Sequence, residues 1–377
     1  MQGSLFEIKG APVNGARVKQ ARELRGLTQA SLADFLYVDQ TFVAHIERGT
    51  RQPTVEVLEA MAELLRLPTA FFRQQDSMYM QKGSLLFRAK AVVGRKVVES
   101  LYQHSCLAVE FATRLSEYAN LVPVRVPHLT DPIEGAQQVR ELMDVGKGPI
   151  SDLLRHIERL GVLIIPLLEA RDCDGFATWT TPRQDLPIIA ISMNFPSDRM
   201  RLTAAHELGH LILHRKVNVG TKETEAEAYL FAAELLMPAD IIGEDLRTEK
   251  VTLFRLAELK SKWHVSMQAL ARRARELQVL SDRQYRYLMM QLSQKGWRTE
   301  EPTFKALPEE RPRALRKLAE VALGEQIDWD RRAAEFNLSP SFIRSLLDAC
   351  AGSPTQKPLA SSPNPPENRI VSFPQRK

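Results

Sequence analysis

Cysteine is scarce in this 377-residue chain: the three present, Cys106, Cys173 and Cys350, stand far apart. That spacing offers neither a disulfide framework nor a zinc knuckle, and it suits a reducing cytoplasm. No apolar run reaches the ~18 residues expected of a membrane helix. The start, MQGSLFEIKG, has no basic segment followed by an apolar one, so no secretory leader is expected. A strong charge of either sign is also missing: 51 Lys and Arg against 46 Asp and Glu give a formal +5. Such a balance permits nucleic-acid binding without demanding it. A hydrophobic fraction of 44% with 26% charged residues is that of a globular protein, and the length allows two or three domains.

Residues 12–73 carry short helical patterns broken by Gly26, Gly49 and Pro53. Residues 74–125 read as a helical linker with a basic patch at Arg88, Lys90, Arg95 and Lys96, ending in the prolines 123 and 127. In SDLLRHIERL, Ser151 is a candidate N-cap and Gly161 a stop. VLIIPLL (162–168), GFATWTT (175–181) and PIIAISM (187–193) are short and rich in β-branched residues, and they read as strands. Helices are expected from about Asp198 to His214 and from about Glu223 to Met237. Residues 246–350 read as helical, with KWHVSMQALARRARELQVLS resembling two helices around a turn and another small pair at 328–350. The proline-rich tail, 352–377, is expected to be disordered.

Two stretches carry chemistry. In GLTQASLADFLYVDQTFVAHIERG, Thr28 can cap a helix burying Leu32, Ala33 and Leu36, and Asp39 can cap a second burying Val43 and Ile46. The join at Tyr37–Val38 leaves room only for a tight turn, which makes a helix-turn-helix whose second helix enters a major groove. Gln40 can pair with an adenine edge, and Thr41 with phosphate or a thymine methyl. Residues 12–73 hold eight Lys and Arg against seven Asp and Glu, so electrostatic affinity for DNA is modest unless a dimer doubles it.

The second stretch is RLTAAHELGHLILHR. Residues four apart share a helix face, so His206 and His210 can reach one ion together. Glu207 is suited to polarise a metal-bound water, and Gly209 lets another segment approach closely. A catalytic zinc needs a third protein ligand and an open position. Glu225 on the following helix is the candidate, with Ala228, Ala232 and Leu235 on its buried face. Glu227 points elsewhere at helical spacing, and Glu223 lies where it favours the helix dipole.

The N-terminal stretch resembles the Cro/C1-type (XRE) repressors, through Gly26-Leu27-Thr28-Gln29, Leu32-Ala33, Ile46-Glu47-Arg48-Gly49 and Pro53. The resemblance implies that Gln29 contacts phosphate or base and that Gln40, Thr41, Ala44 and His45 face the groove. Tyr37 departs from the family's glycine in the turn, and His45 from a common basic residue. The span from about 146 to 240 resembles the ImmA/IrrE family of zinc metallopeptidases, through GPISDLLRHIERLGVLIIPL, DGFATW, DRMRLTAAHELGHLILH and ETEAEAYLFAAELLMP. That resemblance implies zinc ligands His206, His210 and Glu225 and the general base Glu207. Tyr229 stands where the family has Asn or Asp, and His214 falls on a frequent family position. His214 and Tyr229 are candidate oxyanion donors.

The expected architecture is mainly α: an N-terminal all-α helix-turn-helix domain (12–73) and a small α+β zincin-like metallopeptidase domain (126–245), followed by a helical region. The combination implies a regulator that binds a double-stranded DNA operator, as a homodimer on two half-sites, and cleaves a regulatory protein such as a repressor or itself, under stress or another trigger. No membrane partner is expected. Two alternatives remain: a non-proteolytic regulator in which the peptidase fold senses zinc or a peptide, and an antitoxin in which it grips a toxin.

Overall fold

The computed structural model describes residues 11–75, 94–167, 173–180, 186–215, 220–298, 300–302 and 306–350. Arg88, Lys90 and the tail at 352–377 lie outside these residues. In chain order the first helices are α1 (Gly15–Leu24), α2 (Gln29–Leu36), α3 (Gln40–Glu47), α4 (Val55–Leu65) and α5 (Arg95–Leu115). Then come α6 (Pro132–Met143), α7 (Leu153–Arg159) and strands β1 (Leu163–Leu167), β2 (Gly175–Trp179) and β3 (Pro187–Ser192). The remainder is helical: α8 (Ser197–Leu213), α9 (Lys222–Leu236), α10 (Ala239–Arg247), α11 (Leu253–Trp263), α12 (Met267–Glu276) and α13 (Asp282–Gln294), then α14 (Ala314–Leu323), α15 (Trp329–Phe336) and α16 (Pro340–Ala349). The expected mainly helical chain with a small sheet is what forms.

Contacts divide the chain into two compact units. Among the described residues, one falls within 11–121, 163–193 and 312–350, and the other within 122–162 and 194–311. The first therefore contains α1–α5, the three strands and α14–α16. The second contains α6–α13.

In the first unit, α2 and α3 meet at a tight corner. Thr28 caps α2 by accepting the Ser31 N–H at 3.0 Å. Tyr37 then turns left-handed (φ 55°, ψ 42°) and stands 96% exposed. The Val38 N–H returns to the Ala33 carbonyl at 3.0 Å. Asp39 occupies the N-cap position of α3 but makes no side-chain cap bond there. Leu32, Ala33, Val43 and Ile46 are buried beneath the corner, as their spacing predicts, whereas Leu36, expected among them, is only half-buried at the end of α2. The same corner recurs between α15 and α16. Asn337 is left-handed (φ 52°), the Leu338 N–H reaches the Ala333 carbonyl at 3.3 Å, and Ser339 accepts from Phe342 N at 3.3 Å.

The sheet runs β1-β3-β2, with β1 parallel and β2 antiparallel to β3. Every residue of the three strands is buried, which explains their unbroken apolar runs. Helices α5, α14 and α16 pack on β1. The Phe111 ring of α5 meets Phe336 and Trp329 edge-on, at 4.9 and 5.9 Å between centroids.

In the second unit, α6, α8 and α9 pack on one another. Asp131 caps α6 through Ile133 N and Glu134 N, both at 2.8 Å, with Pro132 at the first helical position. Helix α7 begins later than expected: Asp152, not Ser151, is its N-cap. Asp152 is itself left-handed (φ 47°) and makes no side-chain cap bond, so helical geometry starts only at Leu153. Gly161 ends the segment at φ +81°, and a Cβ there would stand 2.6 Å from the Pro123 carbonyl oxygen, so only glycine fits. Among the described residues, no helix is long and apolar enough to cross a membrane.

Candidate metal centre and reading corner

Helix α8 turns its buried side, including Ala204, Ala205, Leu208, Leu211 and Ile212, into the second unit. Arg201, 1% exposed, fixes the helix from one side. Its guanidinium pairs with Glu310 and donates to the Ile150 carbonyl at 2.7 Å. Glu310 also accepts the Leu154 N–H at 3.1 Å. Burial pushes the Glu310 carboxyl above its ordinary range even though Arg201 pulls it down. At the start of the helix, Asp198 accepts from Lys260 of α11 at 2.7 Å.

Helix α9 comes close to α8 at Gly209. A Cβ there would lie 3.0 Å from the Phe231 ring and 3.2 Å from the Ala228 carbonyl oxygen. The missing side chain is what lets α9 approach. Gly135 of α6 leaves room on the other side of Phe231, where a Cβ would stand 3.5 Å from its ring. Phe231 itself is fully buried.

One turn before Ala228, this approach brings Glu225 over the two histidines. His206 Nε2 lies 3.2 Å from Glu225 Oε2, His210 Nε2 lies 3.4 Å from Glu225 Oε1, and the two Nε2 atoms are 3.3 Å apart. Among the described residues these three form the group able to hold a metal ion. A tetrahedral ion with bonds of about 2.0–2.1 Å sets its ligands about 3.3 Å from one another. The two imidazole nitrogens stand at that edge length, and the carboxylate faces each of them with a different oxygen at 3.2 and 3.4 Å, so the donor set fits such an ion. Glu207 follows His206 on the helix and is 2% exposed.

The remaining candidates on these helices separate clearly. His214, 6% exposed, sits at the C-cap of α8. Its Nδ1 is 2.9 Å from His210 Nδ1, and its Nε2 is 2.8 Å from Glu227 Oε2. Both ring nitrogens are thus committed, and His214 has no donor left for an oxyanion. Tyr229 lies under the Arg272 guanidinium, 3.3 Å from the ring centre, and burial pushes its hydroxyl up to about 12. Glu223 has its carboxyl held below the usual range by its own backbone N–H and by Thr221, as expected of an acid in the first turn.

Glu227 stands outside the metal-holding group, as its helical angle predicts, but sequence spacing missed its partner, His214. The readable signal was the ladder of histidines at 206, 210 and 214, which continues one helix face.

At the reading corner, Gln40, Thr41 and His45 are exposed on α3, and Ala44 is half-buried. Gln29 is held inside the corner: its Nε2 donates to Glu47 Oε2 at 2.8 Å, while Arg22 pairs with the same carboxylate at 2.5 Å. An amide has two N–H donors, so Gln29 keeps one to offer outward. His45 Nδ1 lies 2.9 Å from Thr50 Oγ1.

Comparison with known proteins finds two families, one at the histidine helix and one at the corner. The IrrE N-terminal-like domain family of peptidases (M78) matches residues 157–275, and a helix-turn-helix family matches residues 18–72. The HTH-type transcriptional regulator RamB of Mycobacterium tuberculosis is 39% identical over 62 residues, 16% of this chain and 13% of RamB. The transcriptional regulator ClgR of the same organism is 30% identical over 89 residues, 24% of this chain and 75% of ClgR. The chain thus spans a small part of RamB and most of ClgR. A crystal structure of Bacillus thuringiensis PlcR in complex with the peptide PapR7 and DNA aligns with 75% of this chain and 96% of that one. Its identity is 14% and its TM-score 0.15, a likeness too slight to carry an argument.

Proposed function

The chain belongs to the helix-turn-helix transcriptional regulators of the XRE type that carry an IrrE N-terminal-like domain, and from that premise we propose that it binds operator DNA and cleaves a regulatory protein with a zinc-dependent site. The observation that carries the proposal is the convergence of His206, His210 and the Glu225 carboxylate, with the two imidazole nitrogens 3.3 Å apart. Two neutral imidazoles and a carboxylate are a donor set that zinc accepts in hydrolases. Bound there, zinc would lower the pKa of a water and polarise a peptide carbonyl. Glu207 takes the proton of the attacking water and returns it to the leaving amine. The substrate is a repressor or this chain itself, which would couple cleavage to release of the operator.

At the DNA, Gln40 reads a base edge and Thr41 a phosphate or thymine methyl, with Gln29, Ala44 and His45 lining the interface. A homodimer would place two corners on half-sites about 34 Å apart.

Glu207→Gln tests the hydrolytic half. The variant is expected to keep zinc, lose cleavage and retain its substrate in a pull-down. Zinc retained with regulation in cells unchanged would leave a sensor or partner-binding module in place of a protease.

A further inference from the structure

His210 offers its Nε2 to the metal position, while its Nδ1 lies 2.9 Å from His214 Nδ1. Two ring nitrogens at that distance share one proton, and which ring owns it decides whether His210 can bind a metal. If the proton sits on His214 Nδ1, a neutral His210 must carry its own at Nε2, where it blocks the ligand lone pair. If it sits on His210 Nδ1, Nε2 is bare and faces the ion.

The choice is made one residue further out. His214 Nε2 stands 2.8 Å from Glu227 Oε2. A carboxylate accepts hydrogen bonds and donates none. It requires a proton on His214 Nε2, because a bare nitrogen there would set lone pair against lone pair. A neutral His214 with Nε2–H has a bare Nδ1, which must accept, so the shared proton belongs to His210.

We infer that Glu227 and His214 are positioning residues that fix the tautomer and ring plane of His210 for metal binding. The order is Glu227 carboxylate, His214 N–H, His214 lone pair, His210 N–H, then the His210 lone pair aimed at the ion. Each hydrogen bond has one donor and one acceptor, and no other neutral arrangement satisfies all of them. Partners that hold the far nitrogen of a metal-binding histidine are a general means of setting its orientation and basicity. Here a second imidazole transmits that hold from a carboxylate. The carboxylate can be half exposed (its side chain is 48% accessible) because the ring between them is buried, at 3%.

The inference rests on the metal reading above and separates from it experimentally. Long-range proton–nitrogen NMR of the metal-free chain reads the tautomers without zinc. His210 is expected as the Nδ1–H form and His214 as the Nε2–H form. Chelator competition then measures zinc affinity in wild type, Glu227→Ala, Glu227→Gln and, as an exposed control on the same helix, Glu223→Gln. Glu227→Ala should bind zinc about tenfold to a hundredfold more weakly. Glu227→Gln, which keeps a neutral acceptor, should fall between it and wild type, and Glu223→Gln should match wild type. Melting of the metal-free variants should not change, which separates tuning of the site from general damage. Wild-type zinc binding with an unaltered Glu227→Ala affinity, or a His214 found as Nδ1–H, overturns the inference alone. A wild type that takes up no zinc overturns the metal reading and this inference together.

Discussion

The histidine helix and the reading corner solve opposite problems with the same secondary structure. On α8 the side chains that matter are largely buried and fixed by one another: His210 is 5% exposed, His214 6%, Glu207 2% and Arg201 1%. On α3 the residues proposed to read DNA, Gln40 and Thr41, face outward. The first arrangement has its geometry set before any ligand arrives. The second, on the proposed reading, would have its geometry completed by the DNA. Damage to the first should therefore appear in the free protein, and damage to the second only in the complex.

The largest effect should follow Arg201→Met. Breaking a buried ion pair leaves an uncompensated charge and costs about 3–5 kcal/mol. Here the stranded group is Glu310, and urea denaturation should show the loss without any ligand present. A loss under about 1 kcal/mol would mean that burial does not set the scale on α8.

His104 asks whether burial matters equally in the first unit. Burial pushes it down to about 4 from the ordinary 6.5, and its Nε2 has no hydrogen-bond partner. The unfolded chain therefore binds a proton that the folded chain refuses. Stability should be full above about pH 6.5 and fall as pH drops towards 4, by about 3 kcal/mol at most. His104→Phe should flatten that part of the stability–pH curve. An unchanged curve would acquit the residue.

Gly209→Ala comes next, at about 1–3 kcal/mol for forcing a methyl into a packed interface. Because the methyl meets Ala228 and Phe231, it should also move Glu225 and weaken zinc binding. A stable variant with intact zinc affinity would show that α9 can shift without cost.

On the exposed side, Gln40→Ala and Thr41→Ala should leave melting unchanged. Each should weaken specific DNA binding by about 1–3 kcal/mol for a base edge that is no longer read. Gel-shift titration of the operator checks this, and an unchanged affinity would remove both residues from the DNA interface. The smallest effect belongs to Tyr37→Gly. A left-handed residue costs about 1 kcal/mol with a side chain and little as glycine. Tyr37 is exposed at φ 55°, so the change should stabilise the corner slightly in thermal melts.

Much of this was legible in the sequence because it obeys short periods. Leu32, Ala33, Val43 and Ile46 fall at helical spacing and are buried as that spacing requires. His206 and His210 share a face for the same reason, and the glycine at 209 announced a close approach. Tyr37 could be seen to stand in a position that favours glycine, though the sequence could not say that the turn would form regardless. The failures have a common cause. Ser151 looked like a cap, but the left-handed backbone of Asp152 delays the helix, and dihedral angles of single residues leave no periodic trace. Glu227 and Glu310 act on α8 across separations of 13 and 109 residues. No local pattern encodes a partner chosen by tertiary packing.

The chain passes from one unit to the other after residues 121, 162, 193 and 311. No single cut at any of these points releases an intact half. A ribosome would also have to synthesise nearly the whole α6–α13 insertion before α14–α16 emerge to cover β1. Until then the apolar strands lack two of the helices that pack on β1, and newly made chains should depend on protection from aggregation during that interval.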